Sequence, residues 1–435
     1  MSILTKSLTA FVVLGAAAGA SAASAQTAGS AVNSASNGAD LFARDRNLAV
    51  RERPHPEYEA LGLPLGAFMA FPRLELGAEF NDNIFAVKTG EQDDIILFAK
   101  PSVSVVSNWS RHALDLFAEA ALNRYQDFGS EDHNNWSTGF DGRVDVTRST
   151  ILNAGASYSE LTEPRSAAST DVRAAEPIEY STAQTYLAAA RTFSRTKFSG
   201  RADWRNFDYQ DAETVAGLPI DQDNRDRDLY SLAGRVDYAI SPATALFVQV
   251  GGNERDYGDA SGPGFAPRDS SGYEVLGGAN FELGATSRGE VAVGYVSQDF
   301  DNAAYSDVDG FAARAQVEWF PTQLTTVTFT GGRSVEDAGV NGAGGYLASS
   351  AGVRVDHELR RNIILGAGLS YTFDDYEDID REDERLNLSA NATYLVNRRL
   401  GVSLAASRLD QSSDGVAPGR DFTVNRLTVS LVGQF

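Results

Sequence analysis

The sequence predicts an all-β protein, a transmembrane antiparallel β-barrel of about 18 strands with a short N-terminal periplasmic segment. Three observations predict this fold. Apolar and polar residues alternate from Phe68 to the C-terminus, in segments that recur about every 20 residues. Short and long connections between these segments alternate strictly. Aromatic residues collect at both ends of the predicted strands.

The composition excludes several classes of protein. The 435 residues include 59 acidic and 37 basic ones, and the net charge of −22 argues against a nucleic-acid partner, because binding phosphates requires a basic surface. The chain has no cysteine, which excludes disulfides and thiolate metal ligands, and its four histidines are widely scattered. We therefore expect no cofactor. After residue 25, no apolar run reaches the roughly 18 residues of a transmembrane helix candidate.

The first 25 residues are predicted to be a signal peptide. Lys6 provides a basic start, residues 8–20 are apolar, and Ala23-Ser24-Ala25 matches the pattern before a cleavage site. Residues 26–65 follow as a flexible periplasmic segment, because they are first rich in Ala, Ser and Gly and then charged with two prolines. The barrel is predicted to occupy residues 66–435.

The spacing of the connections predicts the strand number. Eight tight connections lie near residues 108–111, 148–150, 194–196, 241–243, 286–288, 321–323, 360–362 and 397–399. Nine longer polar ones alternate with them, near residues 82–93, 126–134, 163–180, 211–226, 258–271, 302–308, 337–345, 376–384 and 412–422. Together they join eighteen strands, with short periplasmic turns and longer outer loops. The sheet must close, because an open edge in lipid leaves unsatisfied amides, and a barrel of this size encloses an aqueous lumen.

Aromatic residues at the strand ends are typical of the two membrane–water interfaces. At the loop ends we place, among others, Tyr186, Tyr230, Tyr257, Tyr295, Tyr346 and Tyr371, and at the turn ends Trp109, Phe198, Tyr238, Trp319 and Tyr394.

The last strand carries a predicted assembly signal. Leu427, Val429, Leu431, Gly433 and Phe435 alternate onto one face and end at the terminal phenylalanine. This pattern is typical of the C-terminal signal that the barrel assembly machinery reads. An edge strand that happens to end in phenylalanine gives the same pattern.

The candidates for the lumen lining are charged residues at the alternating strand positions that face inward. They are Arg143, Arg201, Arg205, Arg235, Arg314, Arg354, Asp115, Glu119, Asp141, Asp145, Asp203, Asp237, Glu318 and Asp356. Several lie two residues apart and so project from the same face of a strand. They predict a polar lumen suited to hydrated solutes, or alternatively ion pairs that only brace the barrel. We hypothesise that Arg201, Arg205 and Arg235 line the constriction.

The sequence does not predict an enzyme. No Gly-x-Ser-x-Gly occurs, and the barrel histidines (His112, His133, His357) form no catalytic constellation. The acidic runs 374–384 and 221–224 lack the spacing of a dedicated calcium loop. We interpret them as solvated surface, bridged loosely to lipopolysaccharide by divalent ions, and predict no metal site.

Residues 51–86 resemble the start of the putative beta-barrel porin 2 family of Gram-negative outer membranes. In this family a Pro-x-Tyr precedes a Leu-Gly and a Gly-x-Phe, followed by Pro-x-Leu-Glu-Leu-Gly and Asp-Asn-Ile. The matching positions are Pro56, Tyr58, Leu61, Gly62, Gly66, Phe68, Pro72, Leu74, Glu75, Leu76, Gly77, Asp82, Asn83, Ile84 and Phe85. Pro101-Ser102 and residues 107–111 resemble the next hairpin, and by pattern and length the resemblance covers about residues 50–435.

The resemblance implies a role in exopolysaccharide export, since genes of family members often belong to exopolysaccharide synthesis and export loci. The sequence therefore predicts a porin-like barrel of the Gram-negative outer membrane, after cleavage near Ala25, that assists exopolysaccharide export. Its predicted partners are outer-membrane lipid, lipopolysaccharide, the barrel assembly machinery, and a polysaccharide or its export machinery. Two alternatives stay open: a general or solute-specific diffusion porin without a polysaccharide role, and a plugged structural or docking barrel.

Overall fold

The computed structural model describes residues 48–258 and 266–435. The predicted signal peptide, its cleavage near Ala25 and residues 26–47 of the predicted N-terminal segment lie outside the described residues. The described chain forms a closed antiparallel β-barrel, which confirms the predicted fold class.

Eighteen strands of 13 to 17 residues make the barrel. The first nine are β1 (Phe68–Asn81), β2 (Asp94–Ser107), β3 (Ala113–Tyr125), β4 (His133–Asp145), β5 (Thr150–Thr162), β6 (Glu179–Phe193), β7 (Thr196–Tyr209), β8 (Arg227–Ser241) and β9 (Thr244–Asp256). The second nine are β10 (Ser270–Leu283), β11 (Ser287–Phe300), β12 (Val308–Thr322), β13 (Thr325–Asp337), β14 (Gly345–Arg360), β15 (Ile363–Tyr376), β16 (Arg381–Asn397), β17 (Leu400–Gly415) and β18 (Phe422–Gln434). Crossing the hydrocarbon takes about 9–11 residues, so the strands extend beyond it.

Neighbouring strands pair in chain order, and the first strand pairs with the last. Arg73 to Asn81 of β1 lie opposite Gln434 to Arg426 of β18. This pairing closes the barrel, so its backbone amides are satisfied within the sheet, as lipid requires.

The connections confirm the predicted alternation of short and long. Eight turns of two to five residues alternate with nine loops of four to 17 residues. In outer-membrane barrels the short turns are periplasmic and the longer loops face outward, which orients this barrel. The longest outer loops are residues 163–178, between β5 and β6, and residues 210–226, between β7 and β8.

Side chains alternate between the two faces of the wall. On β8 the outward Leu232 is 67% exposed, whereas the inward Arg235 is 3% exposed. Exposed apolar side chains mark the same outward face on other strands, for example Leu246, Val293 and Val429. In an outer-membrane barrel this face contacts lipid.

Most of the aromatic residues that we placed at the interfaces are exposed there, namely Tyr230, Tyr295, Tyr371, Trp109, Phe198, Tyr238, Trp319 and Tyr394. Three tyrosines were placed wrongly. Tyr186 has inward parity and donates a hydrogen bond to Asp141. Tyr257 is buried next to Arg268, and Tyr346 is buried in a cluster with residues of an outer loop. Contacts inside the barrel therefore outweighed the interfacial preference of these rings: a hydrogen bond for Tyr186, packing against an arginine for Tyr257, and packing in a hydrophobic cluster for Tyr346.

Short elements complete the fold. The strand Leu63–Leu65 pairs with the start of β1, and the hairpin of Ala212–Glu213 and Pro219–Ile220 lies between β7 and β8. Single turns of 3-10 helix occupy Val50–Glu52, Gly129–Glu131 and Asp223–Arg225. In the described ranges, no helix is long and apolar enough to cross a membrane.

Candidate functional site: the lumen and its two mouths

Ion pairs line one side of the lumen, on β7, β8 and β11. Arg201 of β7 binds Asp203 at 2.6 Å. Arg235 of β8 binds Asp237 at 2.7 Å and Glu290 of β11 at 2.7 Å. Because residues two apart on a strand share a face, each arginine meets a carboxylate of its own strand inside the barrel. The pairs neutralise both arginines.

Most of the other predicted lumen residues are also paired. Arg354 binds Asp356 at 3.0 Å on β14, and Arg143 lies 3.3 Å from Asp145 on β4. The remaining contacts join Arg314 to Glu274 at 3.5 Å, Arg205 to the amide oxygen of Gln184 at 3.1 Å, and Arg288 to Glu318 at 2.5 Å. Contacts of this kind brace a barrel, so the ion-pair alternative fits most of these residues.

Three predicted carboxylates form an open acidic patch instead. Asp115, Glu119 and Asp141, on β3 and β4, are exposed. Asp115 lies opposite Asp141 in register, and the hydroxyl of Tyr186 donates to Asp141 at 2.5 Å. This side of the lumen is therefore more accessible to water than the side that carries Arg235.

The constriction hypothesis rested on the shared inward parity of its three arginines, two of which are paired with carboxylates. Arg201 and Arg235 are 4% and 3% exposed, and carboxylates neutralise both. They do lie on neighbouring strands and face inward. That they line the constriction together with Arg205 stays a prediction.

The outer mouth is covered by loops that buried arginine–carboxylate pairs hold together. Arg165, between β5 and β6, binds Glu131, between β3 and β4, at 2.6 Å. Arg225, between β7 and β8, binds Glu163, between β5 and β6, at 2.5 Å. None of the four side chains is more than 8% exposed. We call this assembly of outer loops around Arg165 and Arg225 the outer cover.

Glu163 shows why the outer cover tolerates buried charge. Burial alone would raise the pKa of its carboxyl, but the guanidinium of Arg225 and a hydrogen bond from Ser169 hold that pKa below its usual range. The carboxylate therefore stays charged at neutral pH and keeps its pairing with Arg225.

Two further arginines attach the outer cover through backbone carbonyls. Arg420, between β17 and β18, donates to the carbonyls of Arg165 at 2.8 Å and Ala167 at 2.7 Å. Arg268, which precedes β10, donates to the carbonyl of Asn224 at 2.8 Å. Loops from distant parts of the sequence are thereby joined above the lumen.

The hairpin of β13 and β14 bends toward the same mouth. Pairing between β12 and β13 stops at Ala313 and Arg333, whereas pairing between β13 and β14 continues to Asp337. Asp337 binds Arg255 at 2.5 Å and Arg227 at 3.2 Å, and these arginines face inward from β9 and β8. The separated end of the hairpin therefore contacts the inner wall and extends the outer cover.

The acidic run 374–384 is not the solvated loop that we expected. Asp374 and Asp383 have no exposed side-chain surface, and they bind Arg385 and Arg381. They belong to β15 and β16, and residues 377–380 form the connection. The interpretation was wrong for Asp374 and Asp383, because alternate residues of these strands face inward, where the arginines compensate their charge. The other acidic residues of the run, apart from the half-buried Asp378, are exposed as expected.

One group of carboxylates in the described chain has the proximity that a cation needs. Asp211, Asp221 and Asp223 offer oxygens within 4.8 Å of one another, but all three are exposed. Exposed acidic groups are common without an ion. We assign no metal to them.

Residues 48–59 cover the periplasmic mouth. Val50 is fully buried, and its backbone N–H donates to Oγ1 of Thr326 on β13 at 2.9 Å. Arg51 binds Asp356 at 3.1 Å and Arg53 binds Glu358 at 2.7 Å, both on β14. We call residues 48–59 the periplasmic cover.

The periplasmic cover reaches across the opening. Glu52 binds Arg288 of β11 at 2.5 Å, and the side chain of Gln434 on β18 donates to the carbonyl of Tyr58 at 2.9 Å. His55 lies 3.9 Å from the buried Glu358. Our description of residues 26–65 as flexible is therefore corrected for residues 48–59, because inward charges of the wall bind them.

The predicted assembly signal lies on the outward face of β18. Leu427, Val429, Leu431 and Phe435 are exposed, and Gly433 is half-buried. Its recognition by the barrel assembly machinery stays a prediction.

The sequence profile of the putative beta-barrel porin 2 family matches residues 55–435, which include the whole barrel. The chain belongs to this family. It is a porin-like β-barrel protein of the outer membrane. No curated protein matches the sequence of this porin 2 chain.

Solved structures resemble this porin 2 chain at low sequence identity. The outer membrane protein OpdK of Pseudomonas aeruginosa is 12% identical, over 84% of this chain and 99% of that one, with a TM-score of 0.44. OpdL of the same bacterium is 13% identical, over 85% and 100%, with a TM-score of 0.43. A mutant of its ferric enterobactin receptor PfeA is 8% identical, over 84% and 80%, with a TM-score of 0.44.

The sequence analysis predicted neither cover of this barrel. One indication was present at the periplasmic mouth: Arg51 and Arg53 are two residues apart, as are the oppositely charged Asp356 and Glu358 that they bind. The partners are 305 positions apart, however, and many other acidic pairs have the same spacing. The match becomes informative only once the strands have been placed.

Proposed function

We propose that this porin 2 protein is a gated outer-membrane channel that assists export of an exopolysaccharide. One observation carries the proposal: at each mouth of a polar lumen, segments of the chain itself are held across the opening by ion pairs. A conduit for a long polymer must be sealed when no polymer occupies it, whereas a permanently open diffusion pore gains nothing from two covers. The choice of an exopolysaccharide rests on the family resemblance of residues 51–86.

The periplasmic cover is the part that we expect to open. It is a single stretch of chain, and its charged contacts with the wall are side-chain contacts of Glu52 and of two arginines, Arg51 and Arg53. A polymer or an export complex in the periplasm would meet this cover first. Displacing it would expose Asp356 and Glu358 to the lumen.

We also propose that the protein is not an enzyme. His133, the barrel histidine nearest the outer loops, is hydrogen-bonded to Asn123 at 3.0 Å and to the carbonyl of Glu131 at 2.8 Å, rather than to a serine. Lipopolysaccharide, membrane lipid and the barrel assembly machinery are the proposed structural partners. Cleavage near Ala25 is part of the same proposal.

Planar-bilayer conductance of the full mature chain tests the gate. We expect Arg51→Ala/Arg53→Ala to raise the open fraction by about tenfold, which corresponds to about 1.4 kcal/mol. The matched control is Arg360→Ala/Arg361→Ala, which removes two exposed arginines beside the neighbouring periplasmic turn. The control should leave the open fraction unchanged.

Secretion of the polymer by cells that lack the gene tests the export role. Reduced secretion that the intact gene restores would support the proposal. A conducting protein without any effect on secretion would identify a diffusion porin. A protein that never conducts, in the wild type or in Arg51→Ala/Arg53→Ala, would favour the docking barrel, the second candidate that the buried pairs of the outer cover suggest.

A further inference from the structure

Many inward side chains of the wall formed by β13 to β17 are polar but uncharged, whereas β7 and β8 carry paired arginines at inward positions. We define the hydroxyl track as Thr330 on β13, Ser370 on β15, Asn387 and Ser389 on β16, and Ser407 on β17. Thr330 and Ser370 are exposed, and the other three are half-exposed. Their apolar neighbours in sequence, such as Leu369 and Leu388, are exposed on the outward face. A solute in the lumen can therefore reach the hydroxyl track.

The first row of the track is continuous across three strand pairs. Thr330 lies opposite Gly352, Gly352 lies opposite Ser370, and Ser370 lies opposite Asn387. A Cβ at Gly352 would lie 2.7 Å from Oγ1 of Thr330, so this close approach needs glycine. The glycine leaves a shallow trough between the two hydroxyl groups.

The second row repeats the arrangement. Gly368 lies opposite Ser389, which lies opposite Ser407, and a Cβ at Gly368 would lie 2.8 Å from Oγ of Ser389. Neighbouring strands are about 4.8 Å apart, so the track extends about 19 Å from β13 to β17. Because barrel strands are tilted, a row across strands also advances along the barrel axis. The track therefore follows a winding path through the lumen.

The polar groups of the track are available for a ligand. Within the described residues, none of its five side chains forms a hydrogen bond with another protein group. Hydroxyl and amide groups both donate and accept, as sugar hydroxyls do, so lumen water can be exchanged for sugar. The inward arginines of β7 and β8, in contrast, are already bound to carboxylates.

The arginines nearest to the track are paired with carboxylates. Arg354 binds Asp356 and donates to the side-chain oxygen of Asn391 at 2.9 Å, and Arg385 binds Asp374. Arg426, which lies opposite Ser407, is 3.7 Å from Glu79. An acidic polymer would have to compete with these carboxylates for the arginines. A neutral polymer has only to displace water.

We propose that the hydroxyl track binds a neutral, hydroxyl-rich carbohydrate and is the polymer-contacting side of the lumen. The inference rests on the proposed export function and names its substrate class. Single hydrogen bonds that exchange with water hold such a chain weakly, and repetition along the track lets the chain slide from one set of partners to the next.

Binding of maltohexaose, a neutral hexasaccharide, tests the track by saturation-transfer NMR on the full mature chain in nanodiscs. The wild type and Arg51→Ala/Arg53→Ala, in which the periplasmic cover is loosened, are compared. We expect the loosened protein to bind and Ser370→Leu/Ser389→Leu in that background to lose affinity by about tenfold or more. The matched control is Ser157→Leu/Ser159→Leu, the same change at half-exposed inward positions of β5, which should retain binding.

A second variant, Ser370→Ala/Ser389→Ala, keeps the test valid if the leucines prevent folding, and it should weaken binding by a smaller factor. Absence of maltohexaose binding in both starting proteins would overturn the inference. Tighter binding of hexagalacturonate, an acidic hexasaccharide, would overturn it in favour of charge recognition. An equal loss of maltohexaose affinity in the β5 control would also overturn it, because the leucines would then act only by narrowing the lumen. If the protein conducts but does not bind the sugar, the hydroxyl track is refuted and the channel proposal stands. If it binds the sugar but never conducts, the channel proposal is refuted and the hydroxyl track stands.

Discussion

The two covers use the same kind of ion pair but differ in burial. In the outer cover, Arg225 and Glu163 are 6% and 5% exposed. In the periplasmic cover, Arg51 is 41% and Arg53 is 19% exposed, although their partners Asp356 and Glu358 are buried. Breaking a buried pair is costly, whereas an exposed pair contributes little. The difference indicates that the outer cover is the more rigid closure and that the periplasmic cover opens more easily.

The largest effect is expected from Arg225→Ala in the outer cover. The substitution leaves Glu163 buried without its cation, and removing one partner of a buried pair destabilises by about 3–5 kcal/mol. We expect hydrogen–deuterium exchange of residues 163–178 to rise strongly, while β5 and β6 stay protected.

Arg173→Ala is the matched control for this prediction. Arg173 binds Asp171 in the same loop, but its side chain is 72% exposed. Its removal should change exchange little. Equal exchange in the two variants would mean that burial does not distinguish the pairs of the outer cover.

At the periplasmic mouth, Arg53→Ala should have an intermediate effect. Glu358 is buried and would retain only His55, at 3.9 Å, so we expect the cover to be weakened by about 1–3 kcal/mol. Arg51→Ala should weaken it by less than about 1 kcal/mol, because Arg51 is exposed and Asp356 keeps Arg354. Exchange of residues 48–59 measures both, and a larger effect of Arg51→Ala would contradict the role of burial.

How far the sequence predicts each region follows from the range of its interactions. The strands of the wall are marked by alternation of apolar and polar residues, which is a local pattern. The inward orientation of Arg201 and Arg235 could therefore be predicted from the sequence alone. The covers depend on pairs such as Arg51 with Asp356, whose partners are brought together only by closure of the barrel. Tyr186 lies between these cases: its parity on β6 indicated the lumen, but its residue type suggested the membrane interface.

Salt should weaken the periplasmic cover more than the outer cover, with a smaller effect than that of Arg225→Ala. Raising the ionic strength from about 0.1 to 1 M shortens the Debye length from about 10 to 3 Å and screens exposed charges far more than buried ones. We expect exchange of residues 48–59 to increase severalfold, while that of residues 163–178 changes little. Sodium chloride at constant pH is the reagent, and a parallel increase in both segments would contradict the comparison.

The last effect is expected from pH, and it concerns Asp226 at the edge of the outer cover. Burial raises the pKa of Asp226 to about 6, although the backbone N–H of Tyr209 donates to its carboxylate at 2.6 Å. The pKa in the unfolded chain is about 4, so the folded loop binds the proton more tightly. Its stability should therefore rise as the pH falls from 7 through about 6 toward 4.

Glu163 has the opposite sign, which makes pH a test within one cover. Its pKa is lowered, so the stability that it contributes is complete above the ordinary glutamate pKa of about 4.3 and is lost only as the pH falls through the lower folded value. Between pH 7 and 5 we therefore expect exchange near Asp226, corrected for the intrinsic rate, to slow, and exchange near Glu163 to stay constant. Asp226→Asn should remove the pH dependence, and its persistence in that variant would assign the titration to another group.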